Sequence, residues 1–324
     1  VENRGSFDAL SPALVLEAVE AGFGMTTDGR LWPYSSYVNR VYGLSSESGE
    51  EFVVKFYRPG RWSEKAILEE HEFLLDCAAA ELPVVAPCVD ADGSTLPAVE
   101  LELDEGSELF FFALFPKRGG RSFDAETDSD WLRLGSLAGR LHQVGAGKIA
   151  LERPKLGSAL ARKNLSVVLP LVHPEFSQEF SDICLSAIEN SAQVVDSLPQ
   201  LRIHGDLHRG NILDRAKEGL SLLDFDDMVT GPAVQDLWLL LPGHADDCGR
   251  ELSLLVDGYS EFRDLDWGSI AAIETLRFYR MIHFLAWRSL QRDDAWFKKD
   301  YPDWGTRAFW IRELEDMREQ SQRL

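Results

Sequence analysis

Apolar and polar residues alternate through much of the first 116 positions and recur at helical spacing through most of the rest. Tyr37 to Leu44 (YVNRVYGL) and Glu51 to Tyr57 (EFVVKFY) are rich in β-branched and aromatic residues and are joined by the polar turn SSESGE, the pattern of a β-hairpin. Ser63 then offers an N-cap, and Ile67, Leu74 and Ala78 share one helical face until Pro83 ends the pattern. Leu96 to Leu103 and Leu109 to Pro116 flank DEGS as a second hairpin. The block reads as two hairpins with one helix between them.

The segment PKRGGRSFD after Phe115 is rich in Gly, Pro and charge and marks a hinge or boundary. Beyond it Trp131, Leu134, Ala138 and Leu141 form one helical stripe, and Phe180, Ile183, Cys184, Ala187, Ile188 and Val195 form another. Residues 201 to 227 interrupt with short strands and loops before helical segments return. The pattern predicts an α+β architecture, with a small β-rich lobe over residues 1–116 and a larger, mainly helical lobe over 117–324.

Composition narrows the class. The chain is 45% hydrophobic and 27% charged, a globular recipe, with no apolar run of the ~18 residues a membrane helix needs. Lys+Arg 33 against Asp+Glu 54 leaves a net charge of −21, which repels nucleic-acid backbones and anionic lipid. Four dispersed cysteines without zinc spacing read as buried thiols in a reducing compartment, and VENRGSFDAL has no export-signal pattern. A cytoplasmic protein, expected to be a monomer, follows.

The densest chemistry is the stretch LRIHGDLHRGNILDRAKEGLSLLDFDDMV. Asp206, Asn211 and Asp224 stand in the order that phosphoryl transfer requires. One carboxylate orients the acceptor hydroxyl; an amide oxygen and a second carboxylate hold Mg²⁺ on the ATP phosphates. Protein kinases place the same groups in H-R-D-L-x-x-x-N followed by D-F-G; here Gly205 replaces the arginine and the second motif is Asp224-Phe225-Asp226. The β-rich lobe supplies the other half. Lys55 in FVVKF can reach the phosphates of ATP, and Glu70, three residues after Ile67 and four before Leu74, points inward to pair with it, whereas Glu69 is rotated away.

HGD-x4-N with a downstream DFD resembles the aminoglycoside phosphotransferase and choline kinase superfamily, which shares the bilobal protein-kinase-like fold. The longer strings FVVKFYRPGRW, ILEEH, HGDLHRGNIL, LLDFDD and GPAVQDLW are similar to the bacterial stress response kinase A family of cytoplasmic serine/threonine protein kinases. The resemblance implies an N-terminal ATP-binding lobe and a C-terminal catalytic and substrate lobe. It implies Asp206 as proton acceptor, Asn211 and Asp224 as Mg²⁺ ligands, and Ser36 as an ATP contact in place of a glycine-rich loop. Phe115 and Lys117 would offer hinge backbone groups to adenine, Asp236 would brace the catalytic loop, and Asp226 or Asp227 would assist a second Mg²⁺. The stretch 225–235 leaves no room for a long phosphorylatable activation loop, so the site is expected to be constitutively assembled.

Other readings remain open. His204 and His208 flank Asp206 in a pattern that can ligate zinc, although His204 also suits a structural role in its loop; His142 reads as a satisfied core or interlobe histidine. A strand ending in D-x-D resembles the nucleophile motif of haloacid-dehalogenase-type phosphatases, with Asp224 phosphorylated. A nucleotide-binding pseudokinase is a third class, and within the kinases the acceptor can be a protein Ser/Thr or a small alcohol or amine such as an aminoglycoside, choline, homoserine or a thiosugar. The helical phase itself makes a prediction: Glu70→Ala abolishes ATP turnover and Glu69→Ala does not, measured by steady-state ATP consumption of both variants.

Overall fold

A computed structural model describes residue 7 and residues 10–34, 36, 38–103 and 106–324 of the chain. Tyr37, Asp104, Glu105 and most of the N-terminal stretch therefore lie outside the described residues. The chain divides into two compact units: Val1–Phe123 with Ala150–Arg153 and Gly210–Asp226, and Asp124–Ile149 with Pro154–Arg209 and Asp227–Leu324.

The first unit contains α1 (Pro12–Phe23), β1 (Thr27–Tyr34), β2 (Arg40–Ser46), β3 (Glu51–Phe56), α2 (Glu64–Ala79), β4 (Ala98–Leu103), β5 (Gly106–Pro116) and β6 (Arg121–Ser122), together with β8 (Ile212–Asp214) and β9 (Leu220–Leu222). Five strands form an antiparallel sheet in the order β1-β2-β3-β5-β4. Both expected hairpins are present, but α1 and β1 are additional to them. Ser11 caps α1 by accepting from the Leu14 N–H, Pro12 opens it and Gly24 closes it in the left-handed region. Strand β1 contains Gly29 and Pro33, which weaken its β signal, and it sits at the sheet edge, where proline is tolerated.

Alternation along β3 sorts its side chains. Val54 and Phe56 are fully buried in a core with Leu44, Phe110, Phe112 and the α1 residues Val15 and Val19. Val53 and Lys55 project from the opposite face, beside their register partners Phe115 on β5 and Val41 on β2. Helix α2 is capped by Ser63, whose hydroxyl accepts from the Ala66 N–H. Strands β6, β8 and β9 form a second small sheet, and β9 also bridges to Val84.

The second unit is mainly helical: α3 (Asp128–Gly145), α4 (Ser158–Val168), α5 (Ser177–Ser197), α6 (Val234–Leu240), α7 (Gly249–Tyr259), α8 (Ile273–Ser289), α9 (Ala295–Asp300) and α10 (Arg307–Ser321), with the short pair β7 (Leu201–Ile203) and β10 (Val229–Gly231). The stripe Trp131, Leu134, Ala138 and Leu141 on α3 is buried, as periodicity requires. Helices α3 and α7 approach so closely that a Cβ on Gly135 would stand 2.1 Å from the Leu255 carbonyl and one on Gly258 would stand 2.1 Å from that of Leu132. Among the described residues no helix is long and apolar enough to cross a membrane. Gly135→Ala forces these two backbones apart and is expected to cost about 2 kcal/mol or more of folding stability, measured by urea denaturation.

Candidate active site

The alternation along β3 places Lys55 at the floor of a pocket of about 440 Å³ whose lining residues all belong to the first unit. Val41, Val53, Leu74, Phe115 and Leu222 form apolar walls; Ser36, Lys55, Glu70 and Asp224 supply the polar groups. Lys55 Nζ lies 3.0 Å from Glu70 Oε1, the partner that helical phase selects. A second carboxylate, that of Asp226, stands 3.2 Å from the same ammonium. Burial by itself disfavours the charged lysine, but Asp226 and Glu70 outweigh it and hold the Lys55 pKa well above its ordinary value.

Two arginines that no spacing in the sequence singles out complete this cluster. Arg61, in the loop between β3 and α2, pairs with Asp226 Oδ2. Arg153, fully buried, donates to Glu70 Oε2, the Ala66 carbonyl and the Asp226 carbonyl, each over 2.7 Å, and its guanidinium lies 4.3 Å from the Trp62 ring centre. Glu69 also has a task that phase alone does not disclose. Its half-buried carboxylate accepts from the backbone N–H groups of Leu151, Glu152 and Arg153, so adjacent glutamates of α2 grip the same four-residue segment. A hydrogen-bonded chain runs from Thr95 through His71 (2.7 Å) and the Tyr57 hydroxyl (2.8 Å) to Glu70 (3.4 Å).

Asn211 and Asp224 both lie at the open end of the β8–β9 hairpin, where the Leu223 N–H donates to the Asn211 carbonyl over 2.9 Å. Asp224 is exposed to the pocket and has φ 56°, the left-handed region that a non-glycine residue occupies at a cost. Phe225 packs edge-on against Phe73 of α2. Ser36 lines the pocket and accepts from the Asn39 N–H over 3.4 Å. At the end of β5, the Lys117 N–H is already donated to the Glu51 carbonyl, over 2.9 Å.

The second unit holds Asp206. Asp236 is fully buried and accepts from the N–H groups of His204 (2.8 Å) and Gly205 (2.9 Å) and pairs with His142 (3.0 Å). His142 in turn meets the Tyr259 hydroxyl at 3.1 Å, and His204 Nδ1 accepts from the Asp206 N–H at 3.3 Å. Gly205 has φ 81° and a Cβ there would lie 2.1 Å from the Asp227 carbonyl, so the arginine of H-R-D has no room in this loop. Arg280 of α8, also missed by sequence reasoning, pairs with Asp206 Oδ1. Burial raises the Asp206 pKa, but His208 and Arg280 bring it below the ordinary value. Among the described residues no three His, Cys, Asp or Glu side chains are grouped to hold a metal.

Residues 33–273 match the family model described as "Phosphotransferase enzyme family". The chain belongs to that family. Within it, the chain is 35% identical over 322 residues to stress response kinase A of Escherichia coli (strain K12), covering 98% of this chain and 94% of the relative. It is 34% identical over 326 residues to the serine/threonine protein kinase RdoA of Salmonella typhimurium (strain LT2), covering 99% and 95%. Membership of the stress response kinase A group makes the phosphotransferase an ATP-dependent kinase. The fold is shared with an amicoumacin kinase solved with AMP-PNP, Ca²⁺ and Ami (TM-score 0.73, 19% identity, 96% and 94% covered). It is shared as well with a microcompartment-associated aminopropanol kinase (TM-score 0.64, 16% identity, 96% and 95% covered).

Burial pushes the His71 pKa down to about 4 from 6.5, so the imidazole is neutral in the native phosphotransferase. The unfolded chain takes up a proton that the native state refuses, and stability is therefore lost as pH falls from 6.5 towards 4. The expected loss from this one group is about 3 kcal/mol. His71→Gln is expected to remove that part of the slope, measured by denaturant titrations across this range.

Proposed function

We propose that this kinase transfers the γ-phosphoryl group of ATP to the hydroxyl of a protein serine or threonine. The observation that carries the reading is the convergence of Lys55, Glu70 and Asp224 on one largely apolar pocket, the composition expected of a nucleotide site. Lys55 supplies positive charge to the phosphates, Glu70 orients it, and Ser36 contacts the nucleotide. Pro116 has no N–H and that of Lys117 is spent, so Arg118 offers the next hinge donor to adenine.

Asn211 and Asp224 present oxygen donors of the kind Mg²⁺ prefers, and two protein ligands suffice for an ion that completes its shell with phosphate oxygens and water. Bound there, Mg²⁺ supplies neutralisation of phosphate charge. Asp226 serves as counter-ion to Lys55 and Arg61 rather than as a metal ligand, since both its oxygens are engaged by cations. Asp206 accepts the hydroxyl hydrogen bond and orients the acceptor; its lowered pKa suits an orienting carboxylate better than a strong base. Asp236 keeps the loop of Asp206 in place.

The relatives at 34 and 35% identity include one named a serine/threonine protein kinase, which supports a protein acceptor. The solved neighbours named for small-molecule substrates share the fold only. Lys55→Ala and Asp224→Ala are each expected to lower kcat by on the order of 10² or more. The assay is phosphate transfer from Mg-ATP to a generic basic protein, to the enzyme itself, to choline and to an aminoglycoside, with Asp206→Ala as control. A decrease below about fivefold in both variants would overturn the site assignment, and phosphate appearing only on a small amine would overturn the protein acceptor.

A further inference from the structure

The carboxylate of Asp206 is not bare. Arg280 donates to its Oδ1 and, over 3.2 Å, to the carbonyl of Gly205, while His208 Nε2 stands 3.5 Å from Oδ2. Arg277, one turn earlier on α8, has other work: it pairs with Glu274 at 3.3 Å, donates to the Gly243 carbonyl at 2.7 Å and covers the Trp238 ring. Arg280 is thus the α8 cation committed to the Asp206 loop, and it acts on both the side chain and the backbone of that loop.

A guanidinium stays charged at any accessible pH, so the negative charge of Asp206 is matched before an acceptor arrives. An unpaired carboxylate beside the reacting hydroxyl attracts ammonium groups on the acceptor. A carboxylate already held by a fixed cation offers no such attraction, and an ammonium next to the hydroxyl meets a like charge instead. We propose that Arg280 sets the charge preference of the acceptor site: it excludes cations adjacent to the reacting hydroxyl and admits hydroxyls with neutral or acidic neighbours. The inference rests on Asp206 as the acceptor-orienting residue and narrows the substrate class of that reading. The net charge of −21 acts over a different range. It draws cationic partners within a screening length of ~10 Å of the surface, whereas Arg280 governs the first neighbours of the hydroxyl.

The test uses serine peptides that differ only in the residues flanking serine, Glu, Gln or Lys, together with choline and an aminoglycoside, each with Mg-ATP. Wild-type enzyme, Arg280→Gln and Arg280→Lys are compared, and binding of a fluorescent ATP analogue checks that each is folded. Wild-type kcat/KM is expected to be lower for the Lys-flanked peptide by on the order of tenfold. Arg280→Lys keeps that ratio; Arg280→Gln brings the three peptides within about twofold of one another and gains turnover of choline or the aminoglycoside. A uniform loss in Arg280→Gln with the ratio unchanged assigns Arg280 a structural role only and overturns the inference. Wild-type preference for the Lys-flanked peptide also overturns it while the protein-kinase reading stands. Turnover of small amines alone by the wild type overturns both. If the wild type uses none of the acceptors, the protein-kinase reading fails, and gain of amine turnover by Arg280→Gln decides the inference. If Arg280→Gln does not fold, the wild-type ratio decides it.

Discussion

The ammonium of Lys55 is the constraint on which the first unit depends. It sits on a central strand with little access to water, and burial of a charge is tolerated only when opposite charge and hydrogen bonds replace the lost hydration. Glu70 and Asp226 provide the charge, and Arg61 and Arg153 in turn satisfy the remaining carboxylate oxygens. Each partner comes from a different piece of chain: strand β3, the loop after it, helix α2, the segment 150–153 and the stretch after β9. Removing one partner would leave its buried neighbours short of compensating charge, and breaking a buried pair typically costs about 3–5 kcal/mol. The cluster therefore holds α2 and the Asp224-Phe225-Asp226 turn in one arrangement.

The second unit solves a related problem in a different way. Asp236 is buried, and it is stabilised by two backbone N–H groups and by its pairing with His142. Those bonds shape the loop that presents Asp206, and Gly205 allows the backbone to pass against Asp227. In both units a buried carboxylate fixes the geometry of a more accessible group beside it, and rigidity of this kind is what positions a reacting atom.

Much of this was legible along the chain because it depends on local order. Period-two alternation puts Val54 and Phe56 on the face opposite Lys55, and helical phase turns Glu70 inward; both follow from backbone geometry over a few residues. The spacing of Asp206, Asn211 and Asp224 is likewise local, as is the sequence Ser63 to Ala79 that makes α2. Strand β1 was not legible, since Gly29 and Pro33 dilute its pattern and its place is decided by pairing with β2.

The sequence by itself therefore determined the α+β class and the lysine–glutamate pair, and it set Asp206, Asn211 and Asp224 in the order expected of a phosphotransferase. Only the tertiary structure decided that Asn211 and Asp224, which follow the first helices of the second unit in the chain, belong to the unit of β3 and α2. It also decided that Arg61 and Arg153 close on Asp226 and Glu70, and that Arg280 closes on Asp206. The physical reason is the same for each. An arginine's long side chain finds its carboxylate through space, across 74 residues for Arg280 to Asp206, 83 for Arg153 to Glu70 and 165 for Arg61 to Asp226, and no periodicity along the chain records a meeting of that kind.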